Sequence, residues 1–275
     1  MKLPELPEAE TIKRELEQSV VGLKIVDVEV PVSSVVKIPT NDFVRRVRGT
    51  TITGIGRRAK IILIHLSSGD TLLFHLKVAG NLLYMPADVE KEKAQVIFVL
   101  NNGYELRFRD PRLFGYVKLI SGDVFRSPEL SRLGPEPLSD QFTLDTFREM
   151  LQRRPRSQIK GLLLDQSFIA GIGNIYADEI LFYARVYPTR PAGSLKDEEI
   201  RRIYEGIRVI LSRAIAERGT SIISYIDLYG KKGNYGNFLK VHYQAGKPCG
   251  NDCAGTVVKI KVAGRGTYVC PDCQK

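Results

Sequence analysis

Apolar positions near the start of the chain recur every four residues, at Ile12, Leu16 and Val20, with charged residues between them. This spacing predicts an amphipathic helix after Pro7. From about residue 22 to 121 the pattern changes to short runs rich in β-branched and aromatic residues, separated by glycine-containing turns. We predict strands at Ile25–Val30, Ile61–Leu66, Thr71–Leu76, Val96–Leu100, Tyr104–Phe108 and Tyr116–Ile120. Several short strands at this spacing favour a β-sandwich or a barrel.

The second half of the chain has helical periodicity. Residues 197–217 carry apolar side chains three or four apart, which predicts one long amphipathic helix that ends near Gly219. Prolines at 128, 135 and 137 are typical of loops between the halves. We therefore predict an α+β multidomain chain with an N-terminal β-sandwich and flanking helices over residues 1–130. A linker at 131–145, a helical domain at 146–240 and a small ribbon at 241–275 would follow.

The net charge of +10 favours an anionic partner, with nucleic acid first. The charge is concentrated at the end, where residues 228–275 hold eight Lys or Arg against two Asp, interleaved with five Tyr or Phe. The alternative is an ordinary solvated face. The apolar runs are too short to span a bilayer and no secretory signal is visible, so we expect no membrane partner and a cytoplasmic location, nucleoid-associated in a bacterium.

All four cysteines lie in this basic tail. Cys249 and Cys253 have three residues between them, Cys270 and Cys273 have two, and sixteen residues separate the pairs. Two close pairs joined by a hairpin-length insert can wrap one tetrahedral ion, so we predict a zinc ribbon with one structural Zn²⁺. Two disulfides or four free thiols are the alternatives, and a cytoplasmic location argues against disulfides.

A second feature is the segment Asp165–Glu179, where one helix is expected to end near Asp165 and another to begin at Asn174 after a glycine-containing connection. Backbone N–H groups at a helix start bind phosphate. An ordinary helical hairpin with glycines for tight packing explains the segment equally well.

Seven motifs occur in a fixed order, and together they resemble the formamidopyrimidine-DNA glycosylase family and its endonuclease VIII relatives over nearly the whole chain. They are Pro4–Glu8, Gly56–Lys60, His75–Gly80, Asp110–Gly115, Leu133–Glu136, Asp165–Glu179 and Gly264–Tyr268. Asp165–Glu179 resembles the helix–two-turn–helix of this family. Thr220–Tyr235 is similar to the loop that covers the flipped base in the formamidopyrimidine branch, and therefore favours that branch.

The resemblance implies an enzyme of base-excision repair, a DNA glycosylase and AP lyase that removes 8-oxoguanine and formamidopyrimidines from duplex DNA. Such enzymes flip the damaged nucleotide out of the stack. In this family an N-terminal proline amine attacks the sugar C1′, a Schiff base forms as the base leaves, and elimination cuts the backbone. By motif match, Pro4 would be the nucleophile and Glu5 the general acid/base. Glu8 would support the site, and Lys60 would contact phosphate or aid elimination. Arg265, together with Asn174 and Lys160, would bind phosphates around the lesion.

The resemblance also implies residues that contact DNA. Arg112 and Phe114 would fill the gap left by the flipped base, with Val78 at the position of the family's intercalating Met. Lys93 stands where the family usually has a His that meets phosphate. The full set is His75, Val78, Lys93, Arg112, Phe114, Arg156, Lys160 and Asn174. The partner would be damaged double-stranded DNA, bound by a monomer.

One departure concerns the nucleophile, because Lys2 and Leu3 stand between Met1 and Pro4. An internal proline nitrogen is a tertiary amide and forms no Schiff base. Four explanations stay open: a true start or a trimmed end at Pro4, substitution by the Met1 or Lys2 amine, attack by an activated water, or lesion binding without catalysis. The last belongs to a different class, a non-catalytic zinc-ribbon protein that recognises damaged DNA. An RNA-binding protein is the weaker third hypothesis, since no aromatic RNA-recognition motif is present.

Overall fold

The structure is a computed structural model, and it describes residues 4–90, 93–222, 224–251 and 253–275. Contacts between residues divide the chain into two compact units. The first is formed by the chain up to Arg132 together with Glu217–Asn234, and the second by Leu133–Ala216 and Tyr235–Lys275. The sequence division left 217–234 within the helical segment, whereas the contacts assign it to the first unit. The predicted boundaries at 130, 145 and 240 stay predictions.

The described residues of the first unit form two α-helices and eight strands. The helices are α1 (Leu6–Ser19) and α2 (Thr40–Val47). The strands are β1 (Ile25–Glu29), β2 (Ile52–Arg58), β3 (Ile61–Leu66), β4 (Asp70–His75), β5 (Asn81–Pro86), β6 (Val96–Leu100), β7 (Tyr104–Arg109) and β8 (Tyr116–Ser121). All six predicted strands are therefore confirmed, as is the first helix. The sequence pattern did not predict α2, β2 or β5.

The strands form two antiparallel sheets of four strands each, in the orders β2-β3-β4-β8 and β1-β6-β7-β5. Apolar side chains of both sheets form one core, in which the Phe74 ring meets those of Phe98 and Phe108 at centroid distances of 5.9 and 6.1 Å. Ile12 and Leu16 of α1 pack into the same core. The predicted β-sandwich with flanking helices is confirmed.

The second unit contains the helices α3 (Leu144–Gln152), α4 (Ile159–Leu164), α5 (Asn174–Ala184) and α6 (Asp197–Ala216) and the hairpin β9 (Val258–Val262) and β10 (Arg265–Val269). The predicted long helix is α6, and the predicted end and start near Asp165 and Asn174 are the limits of α4 and α5. In the part of the chain that the structure describes, no helix is both long and apolar enough to cross a membrane.

Buried carboxylates of α5 join the second unit internally. Glu179 accepts the backbone N–H groups of Lys240, Val241 and His242 at 2.9, 3.0 and 2.8 Å. Burial raises the pKa of Glu179 to about 7, although these three donors lower it. The neighbouring Asp178 accepts from the Tyr268 N–H of β10 at 3.1 Å. Carboxylates of α5 therefore hold the chain before the ribbon and the ribbon itself.

Candidate active site and metal centre

The start of α1 holds the two carboxylates predicted to act in catalysis. Glu5 is the N-cap residue and forms a capping box with Glu8, whose Oε2 accepts the Glu5 N–H at 2.8 Å. Both side chains are buried, with 3% and 2% of their surface exposed. The partial positive charge of the helix N-terminus stabilises carboxylates there. The fold thus places two preorganised carboxylates directly after Pro4.

The segment Glu217–Asn234 is held by carboxylates of α1. Glu8 Oε1 accepts the Thr220 N–H at 2.7 Å, and Glu15 Oε2 accepts the Leu228 N–H at 2.9 Å. The Arg218 guanidinium lies between Glu15 and Asp227 and donates to both. The motif comparison did not identify Glu15. The seven-residue spacing of Glu8 and Glu15 was an available signal, since it places both on the apolar face of α1.

Gly219 approaches Glu8 so closely that a side chain would collide. Its φ is +79°, and a Cβ would lie 2.9 Å from both Cγ and Oε1 of Glu8. We expect Gly219→Ala to lose about 1–2 kcal/mol from left-handed strain and about 1–3 kcal/mol more from overpacking. Gly49→Ala is the matched control, because its φ is +82° and its Cβ would meet nothing within 4 Å. Urea unfolding of both variants measures the difference, and equal losses would contradict the collision.

Lys60 and His75 lie at neighbouring strand ends. Lys60 is partly exposed in the turn between β2 and β3, after Ala59 with a φ of +54°. Nδ1 of His75 accepts the Lys77 N–H at 3.2 Å. Burial, with the charges of Lys77 and Lys60, lowers the pKa of His75 to about 3. His75 is therefore neutral at neutral pH, and since Nδ1 accepts, the ring proton is on Nε2.

The neutral state of His75 should make the free energy of unfolding depend on pH. Between its ordinary pKa of 6.5 and the native value of about 3, the unfolded chain binds a proton that the native protein does not bind. This group should therefore lower the free energy of unfolding, by at most about 1.4 kcal/mol per pH unit, as the pH falls through that window. We expect His75→Gln, which does not titrate, to have a flatter profile in urea unfolding. Parallel profiles would show that His75 protonates normally.

The turn Asp110–Gly115 presents two of the predicted DNA-contact residues. Asp110 is fully buried and accepts the N–H groups of Arg112 and Gly115 at 3.0 and 2.6 Å. This carboxylate shapes the turn, and Arg112 and Phe114 extend from it, Phe114 with 54% of its surface exposed. Val78 is 7% exposed. Phe114 is therefore available for insertion into a base stack, whereas Val78 lies mostly in the protein.

Lys93 is exposed beside a cavity of about 470 Å³ that Arg109, Leu113 and Pro31 also line. Both cationic side chains lie at its wall, next to the base of the Asp110–Gly115 turn. The position is compatible with the predicted phosphate contact of Lys93, which stays a prediction.

Two predicted phosphate ligands meet in the second unit. Asn174 begins α5, and its Nδ2 donates to the Gly266 carbonyl oxygen at 2.8 Å, directly after the exposed Arg265 of β10. The Asn174 Oδ1 is buried without a hydrogen-bond partner among the described residues. Arg156 is exposed in the turn before α4. The ribbon therefore brings Arg265 next to Asn174, two residues that are far apart in the sequence.

A phosphate contact requires an exposed side chain, and the side chain of Lys160 is enclosed within the second unit. Its side chain is 0% exposed, and Nζ donates to Asp178 Oδ1 at 2.6 Å and to Thr267 Oγ1 at 2.5 Å. His242 Nδ1 is 2.6 Å from the other oxygen of Asp178. The position does not support the predicted phosphate grip, because a fully enclosed ammonium cannot reach DNA. Lys160 instead ties α4 to α5 and to β10.

The four cysteines form the predicted metal centre. Their sulfur atoms all lie within 4.8 Å of one another, and none forms a disulfide. The Cys249–Cys273 and Cys253–Cys270 sulfur pairs are 3.6 Å apart. Tetrahedral zinc with bonds of about 2.3 Å requires sulfur separations of about 3.8 Å, so the cluster fits one Zn²⁺. Four thiolates leave no open coordination position, and the metal is structural.

Comparison with known proteins agrees with this geometry. Residues 3–117 match the formamidopyrimidine-DNA glycosylase N-terminal domain, 133–225 its H2TH domain, and 246–275 the zinc finger found in FPG and IleRS. Formamidopyrimidine-DNA glycosylases of Pelotomaculum thermopropionicum and Heliobacterium modesticaldum are 44% and 43% identical, over 99% of this chain and 99% and 100% of theirs.

Solved structures give the same result for the fold. A Lactococcus lactis FPG mutant in complex with Fapy-dG-containing DNA has a TM-score of 0.92 at 36% identity, covering 99% of this chain and 100% of that one. The complex of Lactococcus lactis Fpg with abasic-site DNA has a TM-score of 0.91 at 36% identity, covering 98% and 99%. With all three domains matched in order, the chain belongs to the formamidopyrimidine-DNA glycosylase family.

Proposed function

We propose that this protein is a DNA glycosylase and AP lyase of base-excision repair that removes oxidised purines from duplex DNA. The observation that carries the proposal is the buried Glu5–Glu8 pair, held at the start of α1 directly after Pro4. A lesion-binding protein without catalysis would not need a buried, preorganised carboxylate at this position. The curated relatives are named glycosylases, and the Lactococcus lactis structures contain Fapy-dG or abasic-site DNA.

The chemistry requires an amine nucleophile, for which Pro4 is our candidate. A secondary amine at Pro4 would attack the sugar C1′ as the base leaves and would form an iminium ion that activates the 2′ proton for elimination. Glu5, adjacent in sequence, would transfer protons to and from the sugar. This role needs Pro4 to be the first residue of the mature enzyme. Met1, Lys2 and Leu3 lie outside the described residues.

The remaining residues would bind and deform the DNA. We assign phosphate contacts to Lys60, His75, Lys93, Arg156, Asn174 and Arg265, and gap filling to Arg112, Phe114 and, in a lesser part, Val78. Phosphate contacts set the register of the duplex, and an inserted aromatic ring compensates for the lost stacking of a flipped base. Zinc, when bound, supplies structural cross-linking only, because the four thiolates leave it no open position. We propose that the enzyme acts as a cytoplasmic monomer.

Borohydride trapping on an 8-oxoguanine duplex, with intact mass and peptide mapping of the adduct, tests this function. We expect base release, strand cutting and a covalent adduct on Pro4, and none of these on the undamaged duplex. An adduct on the Met1 or Lys2 amine would retain the enzyme but replace the nucleophile. Base release without an adduct would indicate an activated water, and absence of both base release and adduct would overturn the proposed function.

A further inference from the structure

Three lysines surround one tyrosine ring on the first unit. The Nζ atoms of Lys37, Lys77 and Lys118 lie 6.0, 5.6 and 5.6 Å from the centroid of the Tyr116 ring. The half-buried ring also contacts His75, at a centroid distance of 5.6 Å. We call these three lysines the Tyr116 lysine cluster. None of them belongs to the residues assigned above to catalysis or DNA contact.

The fold, not the sequence, gathers this cluster. Tyr116 begins β8 at the edge of its sheet, and Lys118 lies two residues further, on the same face. Val36 forms a parallel bridge with Val117, which brings Lys37 to this edge. Tyr116 is also the register partner of His75 on β4, and Lys77 follows His75 by two residues. Three separate stretches of chain therefore deliver their cations to one place.

The three lysines have fewer carboxylate partners than positive charges. Among the residues that the structure describes, Lys118 pairs with Glu129, Lys37 Nζ donates to the Ser34 carbonyl oxygen at 2.7 Å, and Lys77 has neither an ion pair nor a side-chain hydrogen bond. Three cations thus face one carboxylate, and His75 is neutral. Like charges held near one ring repel, and a bound anion would relieve that repulsion. Lys77 also has a φ of +50°, a strained backbone conformation for a residue with a Cβ.

We propose that the Tyr116 lysine cluster binds the sugar–phosphate backbone of the duplex beside the lesion. The inference rests on the proposed function. Because the cluster adjoins the residues proposed to contact DNA, the anion that it binds would be a phosphate of the same duplex. Tyr116 directly follows the turn that presents Arg112 and Phe114, and its ring contacts His75. A strand whose bases meet Phe114 and whose phosphate meets His75 would continue across the lysines. The cation–π contacts with Tyr116 hold the ammonium groups near their positions while leaving their N–H donors available to phosphate oxygens.

The test measures DNA affinity against salt concentration for Lys37→Gln/Lys77→Gln, two lysines without a carboxylate partner among the described residues. Removing two phosphate-binding charges should make the negative slope of log K against log salt shallower by about 1.8, since each neutralised B-DNA phosphate contributes about −0.9. We expect this on a lesion duplex with long flanks and not on one that ends close to the lesion. Lys37→Arg/Lys77→Arg should restore the slope.

Lys24→Gln/Lys196→Gln is the control, because it removes the same charge from two exposed lysines outside the cluster. Equal slopes for the cluster and control variants would overturn the inference, as would the same change on the short duplex. The proposed function has its own test, which is base release by the wild-type protein. If that protein releases no oxidised purine, the proposed function fails whatever the lysine variants show. Both duplexes are tested with the full-length, zinc-loaded protein.

Discussion

Replacing Glu5 by glutamine is expected to slow base release from an 8-oxoguanine duplex by about 10²–10⁴-fold, the usual contribution of a positioned general acid/base. The substitution removes the carboxylate that would exchange protons with the sugar but keeps an oxygen that can accept the backbone N–H of the Glu8 position. The start of α1 should therefore remain formed. Single-turnover base release at saturating enzyme measures the effect without interference from binding.

Glu17→Gln is the matched control for this change. Glu17 lies on the exposed face of the same helix and pairs only with Lys13 among the described residues, at 2.6 Å, a contact worth about 0.3–0.5 kcal/mol. Its base-release rate should equal that of the wild type. If Glu5→Gln releases the base at the wild-type rate while binding the same DNA, Glu5 is only a helix cap and the acid/base must be sought elsewhere.

Replacing Cys253 by serine should abolish zinc binding and with it most of the affinity for DNA. A Cys₄ ribbon depends on its metal for folding, and structural zinc contributes about 10–16 kcal/mol in isolated zinc-finger peptides. Loss of the ribbon would release β10, which carries Arg265 and brings it next to Asn174. We therefore expect the negative slope of log K against log salt to become shallower, by about 0.9 for each phosphate that the protein no longer neutralises.

Zinc content by mass spectrometry and DNA binding by fluorescence anisotropy measure the two effects together. Chelation of the wild-type protein, followed by return of zinc, is the control, because it removes and restores the same metal without a mutation. Recovery of affinity with the metal would support the expectation. Wild-type DNA affinity in the zinc-free variant would contradict the expectation, because the ribbon and Arg265 would then contribute nothing to DNA affinity.

Much of this architecture follows from local patterns. The β-branched and aromatic content of runs such as Ile61–Leu66 predicted strands, and the two close cysteine pairs predicted the metal centre. The strands that were missed, β2 and β5, are edge strands, where pattern rules are weakest. β2 contains Gly54 and Gly56, and β5 ends in a proline. Edge strands tolerate such residues because one side of their ladder needs no partner.

Motifs could predict candidate site residues but not the contacts that the fold gives them. Motif order singled out Glu5, Glu8, Arg112 and Phe114, whose roles stay predictions. It also assigned Lys160 to DNA, because a sequence does not show that Asp178 and Thr267 enclose its ammonium. Glu15 was missed for the reverse reason. Its partners, Arg218 and Leu228, are about two hundred residues away, and only the fold brings them to α1.

The assignment of Glu217–Asn234 to the first unit has a consequence for modularity. The chain passes from one unit to the other three times, after Arg132, Ala216 and Asn234, so neither unit is a contiguous gene segment. A fragment that stops at Arg132 would keep both sheets but would lack the Thr220 N–H that Glu8 accepts and the Leu228 N–H that Glu15 accepts. We therefore expect the N-terminal sheets of this chain not to be a self-sufficient block, because carboxylates of α1 accept hydrogen bonds from chain that follows α6.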